Sequence, residues 1–420
     1  MKSFFSKKQV IAVLAFIVIA NHAHSQTQLV WGRQFGSNKE EYARNHVIDP
    51  GGNIYVSGNT TGVMNGKNIG KTDGFITKID SLGNTKWSRQ FGTDQDEDVQ
   101  WSAADSKGNV YITGTTKGDL AHQNSGKDDV FVIKYSPDGQ MVWTKQFGSD
   151  STDIATGIFV DKKGYIYLSG MTLGKLGKSV SGKQDAFLMK LDNNGDWLYT
   201  TQFGTAAHDG CAAVTGDNKG NIYVVGTTFG DLGGSNKGFM DVFVGQFSDK
   251  GTPVKFIQFG SESFDIPTSI LVDNDVNIYV GGSTSGNMAC GQMGEGDCFL
   301  TKMNMKGQIL WNNQFGTKKH DGIKGIAFNK DVSDNIVVSG LLNLPPAHAF
   351  IRMYRKDGSL LWERNLVPEE STNDASGKNV SIDNRGFIYH SGLTHSGLFA
   401  PVLGEDDFYL VKLKMDNSIR

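Results

Sequence analysis

Carboxylate side chains recur along this chain at a fixed spacing that could bring them together in space. Six of them follow one another at a constant step of 56 residues: Glu41, Glu97, Asp153, Asp209, Asp265 and Asp321. Asp374 lies near the position where a seventh would be expected. A ring of carboxylates would attract a cation such as calcium, because like charges at short range raise one another's pKa. Alternatively, each carboxylate accepts backbone N–H bonds in its own turn. We favour the turn role and keep the six positions as a candidate metal site.

A second series of aspartates has the same spacing, at Asp73, Asp129, Asp185, Asp241 and Asp297. We expect these residues to fix the long loop that precedes each of them. His208 and His320 stand next to repeated aspartates but two repeats apart, so one shared metal is not expected. The sequence has no Gly-x-Ser-x-Gly, His-Glu-x-x-His or Cys-x-x-Cys motif and no phosphate-binding loop with its lysine. We expect no cofactor, and a non-enzymatic role is favoured over an enzyme.

Charge gives a further indication about partners. Lysines fall between the repeated elements, at Lys67, Lys71, Lys117, Lys127, Lys175, Lys178 and Lys183. They could form a basic arc for an anionic glycan, although a solvated rim is the interpretation we favour. The formal net charge is -3, whereas nucleic-acid binders usually carry a clear basic excess. No nucleic-acid partner is expected.

The N-terminus has the pattern of a secretory signal peptide. Lysines precede a short apolar run from Val10 to Ala20, and Ala23-His24-Ser25 ends the polar stretch that follows. A spanning helix needs about 20 apolar residues, nearly twice the length of this run, so no transmembrane segment is predicted. Gln26, not cysteine, follows the predicted cut, which argues against a lipid anchor. We expect residues 1–25 to be removed and the protein to be exported, to the periplasm or beyond the cell.

Only three cysteines are present, so disulfides cannot hold a chain of this length together in an oxidising compartment. Cys290 and Cys298 could close one loop. Cys211 is expected to be a buried apolar residue.

One 56-residue unit repeats along the chain. The tripeptide Gln-Phe-Gly begins at Gln34, Gln90, Gln146, Gln202, Gln258 and Gln314. Each unit contains four short segments rich in β-branched and aromatic residues, separated by turn signals. In the third copy these segments are Gly157 to Val160, Ile166 to Ser169, Phe187 to Leu191 and Leu198 to Phe203. Four-stranded units of this period predict propeller blades.

The two ends of the chain are complementary. The segment from Leu29 to Gly36 has the pattern of a fourth strand with no first three before it, and the last copy stops after its third strand near Lys414. We therefore predict an all-β fold, a single seven-bladed propeller over residues 26–420. Its N-terminal strand completes the last blade and leaves no free edge at the seam.

Loop length predicts which face binds. The connections from first to second and from third to fourth strand are tight, as in Asp105 to Asn109, whereas those from second to third strand run about 14 residues, beyond the usual hairpin length of about 2 to 5. The face with the long loops is the predicted binding surface.

With Asp161 to Gly170 and Asp185 to Lys190 in view, the repeat resembles the bacterial SBBP β-propeller repeat. Asp80 to Trp87 is also similar to the tryptophan-docking motif of quinoprotein-like propellers. The SBBP resemblance implies a fold and an exported bacterial protein, and it implies no catalytic residues. We expect a non-enzymatic binding or scaffolding protein whose ligand is a protein or a glycan. The alternative is an enzyme on a propeller scaffold, either a polysaccharide lyase or hydrolase or a quinoprotein-like oxidoreductase.

Overall fold

A computed structural model describes residues 27–217, 219–289, 291–328, 334–367 and 373–415. Those residues form 28 β-strands and no helix, arranged in seven four-stranded antiparallel sheets. Within each sheet the strands are paired in meander order, and we call them a, b, c and d from the inside outward. The predicted seven-bladed propeller is confirmed.

The first four blades follow one another along the chain without interruption. Blade 1 consists of β2 (Glu41–Ile48), β3 (Ile54–Thr60), β4 (Asp73–Ile79) and β5 (Thr85–Phe91). Blade 2 consists of β6 (Glu97–Ala104), β7 (Val110–Thr116), β8 (Asp129–Tyr135) and β9 (Met141–Phe147). Blade 3 consists of β10 (Asp153–Val160), β11 (Ile166–Thr172), β12 (Asp185–Leu191) and β13 (Trp197–Phe203). Blade 4 consists of β14 (Asp209–Gly216), β15 (Ile222–Thr228), β16 (Asp241–Phe247) and β17 (Pro253–Phe259).

The last three blades complete the ring. Blade 5 consists of β18 (Asp265–Val272), β19 (Ile278–Thr284), β20 (Asp297–Met303) and β21 (Ile309–Phe315). Blade 6 consists of β22 (Gly322–Phe328), β23 (Ile336–Leu342), β24 (His348–Tyr354) and β25 (Leu360–Asn365). Blade 7 combines β26 (Ser376–Ile382), β27 (Phe387–Thr394) and β28 (Asp407–Met415) with β1 (Thr27–Phe35) from the other end of the chain.

The seam of the ring lies inside blade 7. Strand β1 pairs antiparallel with β28 over its whole length, from Thr27 opposite Met415 to Phe35 opposite Phe408. The prediction that the N-terminal strand completes the last blade is therefore confirmed. Because both ends of the chain share one sheet, the ring has no blade with an unpaired c strand.

The hydrophobic core is divided into seven clusters, each lying between two successive blades. Strands b and c supply most of it; in β3 and β4, for example, every residue is buried. This pattern explains the near-continuous apolar runs of strands b and c, since both sheet faces are covered by neighbouring blades. Strand d is less buried than strands b and c, and in β9, for example, it begins with two exposed residues.

In four of the seven blades, a tryptophan on strand d bonds to the next blade. The Trp87 indole donates to the Pro137 carbonyl at 3.0 Å, and Trp31 donates to the Ser81 carbonyl at 3.1 Å; both acceptors lie in the c–d turn of the following blade. Trp143 and Trp311 make the equivalent bonds. These aromatic residues belong to the framework of the propeller.

The tight turns use aspartate and glycine in fixed roles. In the a–b turn of blade 2, Asp105 accepts backbone bonds from Lys107 and Asn109 at 2.8 and 2.9 Å, and the Tyr111 hydroxyl donates to its other oxygen at 3.1 Å. Gly108 has a φ of 81°, a conformation that residues with a Cβ rarely adopt.

Strand bounds differ from the sequence prediction mainly at strand a. In blade 3 this strand begins at Asp153, ahead of the predicted start at Gly157. The register shifts between Ala155 and Gly157, and this β-bulge interrupts the two-residue alternation from which strands are predicted.

The structure tests part of what the sequence predicts for the three cysteines. Cys211 is buried and free, as expected. Cys298 is also a buried free thiol, and its presumed partner Cys290 lies outside the described residues. Among the residues that the structure describes, no helix has the length and apolar character needed to cross a membrane.

Candidate functional site: the loop face

The b–c loops of all seven blades and the d–a connections lie on one side of the disc, which we call the loop face. Six of the seven b–c loops have twelve residues each, at 61–72, 117–128, 173–184, 229–240, 285–296 and 395–406. The loop of blade 6 has five, at 343–347. The loops are thus slightly shorter than the sequence predicted, and one blade departs from the pattern.

The glutamine of each Gln-Phe-Gly motif organises a long loop. Gln90 accepts a bond from the Met64 backbone at 3.0 Å and donates to the Gly62 carbonyl at 3.0 Å and to Asp73 at 2.7 Å. The same set recurs at Gln34, Gln146, Gln202, Gln258 and Gln314. The tripeptide is therefore a structural signature of the loops.

The aspartates at the start of strand c hold the same loops from the other side. Asp73 accepts backbone bonds from Ile69 at 2.8 Å and Gly70 at 3.0 Å. Equivalent bonds reach Asp129, Asp185, Asp241, Asp297 and Asp407. The predicted role of this series in fixing the loop is what the structure shows.

The candidate metal residues are placed at the start of strand a, and they too are bonded within the chain. Glu97 accepts bonds from the Thr93 amide and hydroxyl at 2.8 and 2.7 Å and from the Thr116 hydroxyl at 2.9 Å. Bonds from the preceding connection reach Glu41, Asp153, Asp209, Asp265 and Asp321 in the same way. All six are buried.

The seventh place is an exception. Ala375 occupies the repeat position, and Asp374 lies one residue earlier, where it pairs with His395 at 2.6 Å. Within the described ranges, no three His, Cys, Asp or Glu side chains stand close enough together to hold a metal ion. The structure thus does not bring the six candidates together round the axis.

The repeated carboxylates instead meet in pairs, one pair at each of six blade junctions. A Cβ on Gly260 would stand 2.6 Å from an oxygen of Asp241 and 2.6 Å from an oxygen of Asp265, so those two oxygens are no more than twice that distance apart. The final glycine of Gln-Phe-Gly separates the equivalent pairs elsewhere, as at Gly92 and Gly316. A side chain at this glycine would collide with both carboxylates.

Burial raises the pKa of five carboxyl groups in these pairs, and the charge of the paired carboxylate raises it further in four of them. Those four are Glu41, Glu97, Asp153 and Asp265. The fifth is Asp407, whose pKa is raised by burial and by the charge of Asp406. In the four pairs that contain these residues, charge is held at a cost to stability.

Exposed aromatic side chains occupy one sector of the loop face, over blades 4 and 5. Phe239 and Phe264 are 65% and 40% exposed, and their rings stack with centroids 5.1 Å apart and planes 7° from parallel. Phe229 is 44% exposed and meets the His208 ring edge-on at 6.1 Å. We call these four residues the aromatic patch. The 56-residue alignment gave no signal for it, because none of the three phenylalanines is repeated.

A second set of exposed apolar residues lies at the outer rim, at the start of strand d. It comprises Leu29, Val30, Met141, Val142, Trp197, Leu198, Val254, Ile309, Leu310 and Leu360. These residues recur in six of the seven blades, and blade 1 has Thr85 and Lys86 in their place. The rim set therefore belongs to the repeat, whereas the aromatic patch occurs once.

The lysines of the predicted basic arc lie at the surface. All seven are exposed, and Lys117 is paired with Asp96 at 3.2 Å. His320 lies 3.5 Å from Glu295, remote in sequence and blade from His208.

Comparisons with known proteins agree with this fold. Residues 86–121, 142–177 and 254–287 match the SBBP β-propeller repeat family, so these three segments are SBBP-type repeats. Each runs from strand d of one blade through strands a and b of the next. The chain is 26% identical over 208 residues to the regulatory protein FlaEY of Caulobacter vibrioides, a match that covers 44% of this chain and 22% of that protein. The match thus spans about a fifth of the relative's length.

Solved structures with the same architecture share little sequence. The WD40 domain of Neurospora crassa Pan2 superposes with a TM-score of 0.52 at 10% identity, covering 88% of this chain and 89% of that one. An ulvan lyase of a polysaccharide lyase family superposes with a TM-score of 0.51 at 12% identity, covering 91% and 96%. At these identities the likeness concerns the fold alone.

Proposed function

We propose that this chain is an exported, non-enzymatic binding or scaffolding protein that engages a protein or glycan ligand through its loop face. The observation that carries this function is the aromatic patch, since Phe239 and Phe264 expose stacked rings at the surface. Exposed apolar clusters rimmed by polar residues mark interaction sites, and aromatic side chains are enriched in binding interfaces. An aromatic ring presents the same kind of surface to an apolar protein side chain and to the carbon face of a sugar ring.

The loop that carries Phe229 and Phe239 is tied to its blade by hydrogen bonds. The loop 229–240 is fixed by Gln258, which accepts bonds from Leu232 and Gly233 at 2.9 and 3.1 Å, and by Asp241. A preorganised surface loses less entropy on binding. This rigidity supports a role in recognition.

The enzyme alternative has less support from the described residues. Glycoside-cleaving enzymes commonly use two carboxyl groups on either side of a substrate in an open cleft. The paired carboxylates here are buried and bonded to their own loops. A substrate cannot reach them without opening a blade junction.

Export is proposed on the N-terminal sequence. The lysines followed by the apolar run from Val10 to Ala20 are typical of a signal peptide, and residues 1–26 lie outside the described part of the chain. Expressing the full gene and determining the N-terminus of the protein recovered outside the cytoplasm tests this. Cleavage after Ser25 is expected, whereas an intact N-terminus on protein confined to the cytoplasm would contradict export.

Binding is tested by a screen followed by substitution. The purified chain is screened against an array of polysaccharides and against candidate proteins, and the affinity of each hit is measured for the parent and for Phe239→Ser and Phe264→Ser. Removing an exposed anchor at an interface typically costs about 1 to 2 kcal/mol, a loss of roughly tenfold. Because both side chains are exposed, the melting temperature should change little.

The matched control is Val254→Ser in the same blade. Val254 is 58% exposed but belongs to the rim set at the outer strand. The Val254→Ser substitution should leave the affinity for the ligand unchanged. Loss of binding in Val254→Ser but not in the phenylalanine variants would show that the ligand binds at the rim. Turnover of a polysaccharide or of a quinone-linked substrate would overturn the non-enzymatic role.

A further inference from the structure

Three consecutive inner strands carry a cationic residue at the same position. The residues are Arg44 on β2, Lys324 on β22 and Lys378 on β26, and each is the residue that the bulge of strand a leaves out of the ladder. In the other four blades this position holds Gln100, Thr156, Ala212 and Thr268. Blades 6, 7 and 1 are neighbours in the ring, so positive charge is gathered on one side of the central channel.

The inner strands of these three blades lie in close contact. A Cβ on Gly325 would stand 2.9 Å from the backbone of Asn379 and 2.9 Å from that of Val380, so β22 and β26 approach backbone to backbone. The Asn379 amide then donates to the His46 carbonyl at 3.0 Å and ties β26 to β2. The three cationic side chains therefore start from adjoining strands at one level of the channel wall.

Two of the three cationic groups make no ion pair, although the negative charge of Asp406 acts on Lys378 and partly offsets the lowering of its pKa. Arg44 pairs with Asp98 at 3.1 Å. Lys324 and Lys378 make no ion pair or hydrogen bond with any residue of the described chain, although both are half-buried. Desolvation lowers the pKa of both, that of Lys378 to about 8, and the charges of Lys324 and Arg44 contribute to the lowering at Lys378. Unpaired charges in such a place cost stability.

The b–c loop that lies beside these residues on the loop face is short. Blade 6 has the short loop at 343–347, where six other blades carry twelve residues. On the same strands, two positions before each lysine, stand the small residues Gly322 and Ser376. The Lys324 ammonium lies 3.6 Å from the place that a Gly322 Cβ would take, so this side chain extends toward the loop face.

We propose that Lys324 and Lys378, with Arg44 beside them, form a binding site for a compact dianion, either a free sulfate or phosphate ion or a phosphate monoester. Two unpaired ammonium groups balance two negative charges, and lysine binds such groups as a point charge without demanding the planar geometry of arginine. The site is independent of the loop-face ligand proposed above. It gives a function to two residues whose charge otherwise only destabilises the folded chain.

The test is sulfate binding by the purified chain, measured by calorimetry and by thermal unfolding against chloride at equal ionic strength. Sulfate should raise the melting temperature, because a ligand that binds only the folded state stabilises it. Lys324→Met and Lys378→Met should each weaken sulfate binding about tenfold, and the double variant should abolish it. In chloride the double variant should melt no lower than the parent, since it removes unpaired charge from half-buried positions.

The control is the double variant Lys175→Met/Lys178→Met, which removes the same net charge from exposed loop positions and should keep sulfate binding. Glucose 6-phosphate, a dianion at neutral pH, is tested beside sulfate to separate a free ion from a group carried on a sugar, and stabilisation by either one supports the site. Absence of binding by both, or equal binding by the parent and the Lys324→Met/Lys378→Met variant, would overturn the proposal. If the double variant does not fold, the two single variants decide.

Discussion

At the scale of single residues, the repeated carboxylates are paired across blade junctions. The Asp241 charge adds to burial in raising the pKa of Asp265. A carboxyl whose pKa is higher folded than unfolded adds stability at low pH and loses it as the pH rises through the folded pKa. We therefore expect Asp241→Asn to stabilise the chain by about 1 kcal/mol at about pH 7, and by less at about pH 4.

Urea unfolding at the two pH values measures this difference. Asp94→Asn is the control, since Asp94 is exposed and its replacement should leave the pH dependence as it is. Equal effects of Asp241→Asn at both pH values would show that the two carboxylates do not interact.

The candidate metal residues lead to a second expectation at this scale. Asp209 is buried and accepts bonds from the Thr205 amide and hydroxyl. Asp209→Ala leaves those donors without a partner, and we expect it to lower the free energy of unfolding by roughly 1 to 3 kcal/mol. Asp150→Ala, at an exposed place in the connection before blade 3, should cost far less. Calcium should leave the melting temperature of the parent unchanged; a calcium-dependent rise lost in Asp209→Ala would restore the metal site.

Residue roles were only partly predictable from the sequence. The 56-residue step identifies both aspartate series, but it does not show that they meet. The partner of Asp241 is Asp265, the first residue of the next blade, and only the constant interval between the two series could have indicated the pairing. The aromatic patch gave no such signal, because Phe239 and Phe264 each occur once.

At the scale of elements, the long loops depend on one glutamine each. Gln146 accepts bonds from Leu120 and Ala121 and donates to the Gly118 carbonyl and to Asp129. We expect Gln146→Leu, which keeps the size of the side chain, to destabilise the chain by roughly 1 to 3 kcal/mol through unsatisfied backbone groups. Amide exchange in 117–128 should speed up, while exchange in the loop of blade 4 should not.

Exposed Gln140 in the c–d turn of the same blade supplies the control. Gln140→Leu should leave both the stability and the exchange rates near those of the parent. A Gln146→Leu variant with unchanged exchange in 117–128 would show that the loop is held by other contacts.

The positions of the strands could be predicted from the sequence where both faces of the strand are buried. Strands b and c are buried on both faces and read as short apolar runs, so their positions follow from the sequence. Strand a was predicted too short because its bulge shifts the alternation, as between Ala155 and Gly157. Lys324 and Lys378 lie at the unpaired position of the same bulge, and for that reason the strand pattern of the sequence did not single them out.

At the scale of the whole molecule, ring closure depends on β1. Deleting residues 27–35 would expose the edge of β28 and remove Trp31 from the cluster between blades 7 and 1. We expect a large fall in melting temperature and a tendency to associate through the free edge. Thermal unfolding with light scattering measures both, and a truncated chain that melts with the parent and stays monomeric would show that the seam is closed otherwise.

Across the molecule, the repeated residues serve the framework, and the proposed binding functions lie where the repeat is broken. The glutamines, aspartates and tryptophans that recur from blade to blade bond loops and join neighbouring sheets. The aromatic patch, the short loop of blade 6 and the two unpaired lysines are departures from the repeat. The repeat could therefore predict the fold while leaving the binding surface unknown.

The most direct test of this division compares two variants side by side. The affinity of each variant is measured for a ligand found in the screen. Phe239→Ser/Phe264→Ser changes only residues outside the repeat, and Gln146→Leu changes only the framework of a distant blade. We predict at least a roughly tenfold loss of affinity with an unchanged melting temperature in the first, and a lower melting temperature with unchanged affinity in the second. The reverse pattern, with affinity lost in Gln146→Leu and kept in the double phenylalanine variant, would contradict the account.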